Sequence, residues 1–392
     1  MTKSDDKVPA LRFKGFTDEW EQRKLGDVAE IVGGGTPSTN ISKYWNGNIN
    51  WYSPTEIGSQ TFVNSSKKKI TELGLKESSA KLLPGKKTIL FTSRAGIGDM
   101  AIMNTDGSTN QGFQSWIVKP NITDIYFLYS LGGNLKKQAL RKASGSTFLE
   151  ISNSEVKKLS LYLPNFKEQT IIGKIIKLID KLITLQQRKV NNYFQYKTQL
   201  IYTIFENKNW QMIKLKDVLS VPKKELANVT TKSQIMTVKL NLGGIVDGAN
   251  RDTLNPSATK YYIRHAGQFI FGKQNFFNGS MAIVPKAMDE KVTSQDVPAL
   301  NINNEKINSK FLLYYLSRKN FYKHTERFAT GTGSKRLHVD TLLNLKIRIP
   351  DISYQNQIVS TLTLLDKKLQ LETAKLNKLK QLKQFLLQNM FI

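Results

Sequence analysis

The chain has 392 residues and 44.5 kDa, too long for one ordinary core, so two domains or more are expected. Lys and Arg number 58 against 31 Asp and Glu, a formal charge of +27 on a chain that is 40% hydrophobic, which excludes a disordered basic tail and points to a polyanionic partner. The absence of cysteine excludes disulfides, thiolate metal sites and a cysteine nucleophile, and three histidines (His265, His324, His338) leave little for His-rich metal chemistry.

In chain order, the opening MTKSDDKVPA lacks the apolar run of a signal peptide. A first globular region, residues 1–167, has a strand-like AEIV (Ala29–Val32) leading into Gly33-Gly34-Gly35-Thr36-Pro37-Ser38. LPGKKT (Leu83–Thr88) reads as a turn between strands, since Lys87 stands where a P-loop needs Ser or Thr. The extended stretch LSLYLPNF is ended by Pro164 and gives way to a helix over about 168–206. Its most apolar part, Ile171–Ile183, carries Lys174, Lys177, Asp180 and Lys181, charges that a membrane span would have to bury. No membrane role is expected, and the cytoplasm is the expected location. A second globular region, residues 207–353, ends in LKIRIPDI, and a second helix covers about 354–392.

The chain is written twice. Trp20, Leu25, Asp27 and Val28 return as Trp210, Leu215, Asp217 and Val218, and Met100-Ala101-Ile102 returns as Met281-Ala282-Ile283. From Ala143 to Phe205 the match keeps a constant offset of 186 residues: Gly145 falls on Gly331, Pro164 on Pro350, Gln169 on Gln355, Asp180 on Asp366, Phe205 on Phe391. In the first helix Ile172, Ile175, Ile179, Leu182, Tyr193 and Leu200 keep a seven-residue rhythm. In the second, Ile358, Leu362, Leu365, Leu369, Leu376, Leu379, Leu386 and Met390 form an equivalent stripe. Helices about 57 Å long with such stripes are expected to pair as a coiled coil. Gln186 and Glu372 are the polar members of the stripes, match under the offset, and are expected to fix the register. Two similar halves joined head to tail close into a pseudo-twofold object when their helices run antiparallel. The expected fold class is α+β: two globular domains separated by a long antiparallel two-helix coiled coil, with an internal pseudo-twofold repeat.

The charge sits mainly in the globular regions. Residues 1–167 carry a net +8 and residues 207–353 a net +12, against +3 and +4 for the helices. No catalytic motif survives inspection. The Asp/Asn-Pro-Pro-aromatic signature of amino-methyltransferases does not occur, the GGGTPS run lacks the last glycine of a dinucleotide fingerprint, and no histidine has a recognisable nucleophile beside it. The expectation is a protein that is not an enzyme; the alternative is a stand-alone DNA-modifying or DNA-cleaving enzyme with a divergent active site.

What the regions do offer is Gly-rich turns set among hydroxyl, amide and basic residues, which let backbone approach phosphates and present base-reading side chains. The candidate DNA-binding residues of the first region are Thr36, Ser38 and Tyr44 (within Gly33–Gly47), Arg94, Asn110, Gln111, Lys142 and Ser146. Those of the second are Lys273, Gln274, Asn275, Ser294, Gln295, Lys335 and Arg336. Tyr44, Trp45 and Trp51 also suit a core. Candidate helix-pairing or partner-docking residues are Ile172, Ile179, Leu182, Gln186, Ile358, Leu365, Glu372 and Leu379.

The opening VPALRFKGFTDEWEQRKLGDVAEI, the run GGGTPSTN followed by WNGNINWYSPTEI, GSTNQGF, KQNFFNGSMAIVP, and the helix starts LPNFKEQTIIGKI and IPDISYQNQIV resemble specificity (S) subunits of type I restriction–modification systems. The resemblance covers essentially the whole chain. One departure stands out: after Val218 the second region has Val221-Pro222-Lys223-Lys224 where the first has GGGTPS, so the two should contact DNA differently. The resemblance implies two target-recognition domains (1–167 and 207–353), each reading part of a split sequence in double-stranded DNA. The spacer helices (168–206 and 354–392) would hold them apart and dock two modification subunits. It further implies that S-adenosylmethionine, ATP and magnesium belong to the methyltransferase and restriction (endonuclease/translocase) partners, with no cofactor or metal on this chain.

Overall fold

The computed structural model describes residues 7–58, 60–94, 96–145, 149–248, 259–331 and 334–392. The chain divides into two compact units: Met1–Gln187 with Ala374–Ile392, and Arg188–Thr373. Each unit holds one globular region and a portion of each long helix, Phe166–Phe205 and Ile352–Asn389.

The N-terminal unit contains β1 (Glu21–Lys24), β2 (Ala29–Gly33), β3 (Trp45–Tyr52), β4 (Phe62–Val63), β5 (Lys68–Ile70), β6 (Thr88–Phe91), β7 (Met100–Met103), β8 (Gly107–Thr109), β9 (Gln114–Val118) and β10 (Ser160–Leu163). Five of these form a sheet in the order β2-β9-β6-β7-β4, and three form a second sheet, β5-β3-β8. β6 and β7, TILF and MAIM, are buried at every position, as expected for strands covered on both faces. β1 pairs antiparallel with β10, Glu21 opposite Leu163, and so closes the globular region just before the helix begins.

The C-terminal unit contains β11 (Gln211–Lys214), β12 (Leu219–Ser220), β13 (Leu226–Ala227), β14 (Met236–Val238), β15 (Ile245–Asp247), β16 (Tyr261–Ile263), β17 (Phe269–Phe271), β18 (Met281–Ile283), β19 (Val292–Ser294), β20 (Ala299–Ile302) and β21 (Lys346–Ile349). Its larger sheet, β12-β20-β17-β18, repeats the order of β2-β9-β6-β7. β11 pairs with β21 as β1 does with β10. The smaller sheet differs: β13-β16-β19 is wholly antiparallel, whereas β3 and β8 run parallel.

Each long helix begins two residues earlier than its apolar pattern suggests. After Pro164 the Asn165 Oδ1 accepts from Glu168 N at 3.0 Å, and after Pro350 the Asp351 Oδ1 accepts from Tyr354 N at 2.9 Å, so the residues after the prolines act as N-caps. Gln169 and Gln355 pin the first turns to the globular regions. Gln169 Nε2 donates to the Pro164 carbonyl at 2.9 Å and Gln355 Nε2 to that of Pro350 at 2.9 Å; their oxygens accept from Asp124 N at 3.1 Å and Asn308 N at 2.9 Å. Gly173 sits where a Cβ would lie 2.4 Å from Asp124 Oδ1, which explains a glycine in a long helix.

In the N-terminal unit the start of the first helix shares a core with the end of the second, Ile172 and Ile176 with Leu386 and Met390. In the C-terminal unit the end of the first shares a core with the start of the second, Leu200 and Phe205 with Ile358, Leu362 and Leu365. Both pairings are antiparallel. The covered stripe of the first helix runs through 172, 176, 179, 183, 186, 190, 193, 197, 200 and 204, alternating steps of four and three. Adding 186 to each gives the stripe of the second helix, including Leu365, Glu372 and Leu379. Leu182 is off this line at 42% exposed, and Ile183 takes its place; Ile175 likewise yields to Ile176. Glu372 is buried and pairs with Lys189 at 3.2 Å and Lys368 at 3.7 Å. Gln186 is half-buried on the same stripe.

A second polar device repeats in both units. Asp180 accepts from Tyr126 OH at 2.6 Å and pairs with Lys383 at 2.6 Å. Asp366 accepts from Tyr314 OH at 2.5 Å and pairs with Lys197. Burial, then the neighbouring carboxylate, pushes both tyrosines well above the usual phenol range, so they remain donors at any working pH. Each carboxylate thus ties the two helices of its unit to the globular region. Aromatic triads do the same in the core: Trp20, Phe127 and Phe391 in one unit, Trp210, Phe311 and Phe205 in the other.

Candidate nucleic-acid interface

In the N-terminal unit the sequence-distant turns are sewn together by backbone. Gly35 N donates to the Thr109 carbonyl at 2.8 Å, Ser93 N to that of Gly112 at 2.8 Å, Ile151 N to that of Ser93 at 3.0 Å, and Ser144 N to that of Glu150 at 3.0 Å. The approach is close enough to demand glycine: a Cβ on Gly34 would lie 1.8 Å from the Asn110 carbonyl oxygen. Thr36 Oγ1 donates to Gln111 Oε1, and Asn110 Oδ1 accepts from Gly112 N at 2.9 Å, fixing the turn. Thr36, Arg94, Asn110 and Gln111 therefore belong to one surface. The basic members are partly balanced, Arg94 by Glu150 at 3.9 Å and Lys142 by Glu155 at 3.5 Å.

Ser38 is exposed, and its carbonyl accepts from Trp45 Nε1 at 3.0 Å. Tyr44 lies apart from the joined turns. It is half-buried, its carbonyl accepts from Thr71 N at 3.0 Å, and Lys43 Nζ stands 5.9 Å from its ring centre. Trp45 and Trp51 pack edge to face at 5.1 Å as core aromatics. Ser146 lies outside the described residues.

The C-terminal unit joins the equivalent turns with different side chains. Lys273 N donates to the Asp296 carbonyl at 2.8 Å and Leu337 N to the Lys273 carbonyl at 2.8 Å. With its amide oxygen facing the guanidinium, Gln274 accepts from Arg336 Nε at 3.2 Å and Nη2 at 2.9 Å, while Arg336 stands 3.8 Å from Asp296. Asn275 Oδ1 accepts from Asn278 Nδ2 at 3.3 Å, and the Ser294 carbonyl accepts from Val297 N at 3.0 Å, leaving Gln295 exposed at the tip. Lys335 pairs with Glu326 at 3.1 Å. The sequence pattern missed Arg264, a buried cation beside the Lys223-Lys224 segment. The 181-residue offset between Met100 and Met281 places it opposite Leu83, but does not show its burial.

Among the described residues no group of three or more His, Asp or Glu is placed to hold a metal ion, and no helix is long and apolar enough to cross a membrane. The surfaces offer amide, hydroxyl, guanidinium and ammonium groups around glycine turns, suited to hydrogen-bonding a polyanion. The family model for the type I restriction modification DNA specificity domain matches the chain twice, at residues 17–192 and 207–381. The chain belongs to that family. It is a specificity subunit of a type I restriction–modification system, with two recognition domains in tandem, and a non-catalytic member of that system.

The type I restriction enzyme MjaIX specificity subunit of Methanocaldococcus jannaschii is 28% identical over 368 residues, covering 85% of this chain and 83% of the relative. The EcoR124I/EcoR124II specificity subunit of Escherichia coli is 33% identical over 182 residues, 45% of this chain and 43% of the relative. The crystal structure of the S subunit from M. genitalium superposes with a TM-score of 0.63 at 15% identity, covering 98% of this chain and 99% of that one. That likeness shows a shared fold.

Proposed function

We propose that this specificity subunit reads a bipartite target in double-stranded DNA, one half-site per recognition domain. The observation that carries the proposal is the doubled set of joined turns. The same backbone frame presents Thr36, Arg94, Asn110 and Gln111 in one unit and Lys273, Gln274, Gln295 and Arg336 in the other. One frame with two side-chain sets is what reading two unlike half-sites requires, because base-edge donors and acceptors set sequence preference. The long helices, 40 and 38 residues, set the spacer. Leu178, Leu185, Leu364 and Leu371, exposed on their outer faces, suit the docking of two methyltransferase subunits, and Leu178 and Leu185 fall on Leu364 and Leu371 under the 186-residue offset. The restriction subunits join this complex. S-adenosylmethionine, ATP and magnesium are used by the partners, and the assembly works in the cytoplasm. The target adenine is taken out of the helix by the modification subunit.

The test is genome-wide mapping of methyladenine in cells with and without this chain. The expected result is a split, asymmetric methylated motif that vanishes with the chain. An unchanged methylation pattern, or an uninterrupted motif, overturns the proposal.

A further inference from the structure

Arg264, just after β16, is a charge that no carboxylate balances among the described residues. It is 6% exposed, and burying a cation is costly unless acceptors or an anion compensate. Acceptors hold part of it: Nε donates to Thr293 Oγ1 at 2.7 Å, and Nη2 to the Val297 carbonyl at 3.1 Å. The guanidinium lies 5.4 Å from the Tyr262 ring centre, so its plane is fixed. Among the described residues no carboxylate lies within ion-pair distance of it. Desolvation pushes its pKa down to about 10, which leaves it charged at neutral pH.

Arg264 lines a cleft of about 300 Å³ that also carries Lys223, Lys224 and Lys273, none of them ion-paired among the described residues. Asp340 is the single carboxylate among the described residues of that lining. The fold does not require a cation there. Leu83 N donates to the carbonyl of Gly107, which opens β8, at 2.7 Å, as Arg264 N donates to that of Lys291, just ahead of β19, at 2.9 Å. Leu83 packs in an apolar cluster with Val63, Leu90 and Phe113. The same frame thus holds leucine in one unit and arginine in the other.

We propose that this cleft is a phosphate pocket of the C-terminal recognition domain, in which one backbone phosphate of the half-site seats against Arg264 with Lys223 and Lys224 beside it. The assignment rests on the reading of this domain as DNA-binding, and names the group it holds. Phosphate fits better than a guanine edge. Reading guanine uses an arginine's two-pronged fork, and here Nε and Nη2 are already committed to Thr293 and Val297. The remaining Nη1 and the lysine ammonium groups suit the several oxygens of one phosphate.

The experiment uses the full chain assembled with its methyltransferase partners, and a duplex carrying both half-sites as found by methyladenine mapping. Arg264→Leu, which copies the Leu83 of the other unit, should weaken binding about tenfold, equally for C-terminal half-sites of any sequence. It should also reduce the slope of log affinity against log salt by about one. Replacing phosphates one by one with neutral methylphosphonates should reveal a single position that weakens the wild type and leaves Arg264→Leu unaffected. Lys223→Ala, an exposed change, should act in the same direction and less strongly. Loss of discrimination at one base pair would overturn the phosphate assignment in favour of a base contact. A lowered Tm with unchanged affinity and salt slope would overturn it in favour of a structural role. A wild-type complex that binds the duplex no better than random DNA would overturn the DNA-specificity reading itself, a result distinct from a discriminating wild type that Arg264→Leu leaves unchanged.

Discussion

In the N-terminal unit the run GGGTPS ends β2 and follows it, and Gly34 presses against Asn110; in the C-terminal unit the segment after β12 is Val221-Pro222-Lys223-Lys224, and the cleft beside it is lined with cations. Away from these segments the units agree closely. Phe391 lies 5.3 Å from Phe127, and Phe205 lies 5.1 Å from Phe311; Gln169 and Gln355 make the same 2.9 Å bond to a proline carbonyl. The contrast separates a frame common to both units from turns whose side chains differ between them. Residues that tie helix to globular region are kept in pairs, whereas those on the joined turns have changed in size, charge and hydrogen-bonding capacity.

That division can be broken by substitution. The largest effect is expected from Gly34→Val, which forces a Cβ into the Asn110 backbone and should cost about 3 kcal/mol. Methylation mapping should show loss of the N-terminal half-site with the C-terminal one retained, and equal damage to both would refute independent reading. The frame should respond less and in both units. Asp180→Ala strips Tyr126 and Lys383 of their acceptor and should cost about 2 kcal/mol in urea unfolding, because hydrogen bonds to a charged group are worth more than neutral ones. Asp366→Ala should cost about 1 kcal/mol, since Asp366 is 31% exposed in its side chain against 14% for Asp180. A larger loss at Asp366 would contradict the link between burial and cost.

Much of the frame was legible in the sequence because the repeat supplies a second copy to check against. The stripe of the second helix is easier to follow, since lysines, glutamines and asparagines separate most of its apolar positions from 366 to 384. In the first helix the run IIGKIIKLIDKLI offers apolar residues side by side, and the rhythm slips by one at Ile175 and Leu182; carrying Leu362 and Leu369 back by 186 residues selects Ile176 and Ile183. The reading surface was only partly legible. Thr36 and Gln111 each stand in a polar turn of the sequence, but nothing local signals that residues 75 positions apart share a hydrogen bond. The burial of Arg264 depends on Thr293, Val297 and Tyr262, which close around it only once β16 and β19 pair. Tyr44 stands among polar turn residues in the sequence, but the packing around Thr71 and Gly74 takes it away from the joined turns.

Independent reading of the two half-sites on a common frame has a direct test. Residues 1–167 are replaced with the matching region of another family member, and methyladenine is then mapped across the genome. One half of the methylated motif is expected to change to the donor's, while the other half and the spacer stay as they were. A motif altered in both halves, or altered in neither, would contradict it.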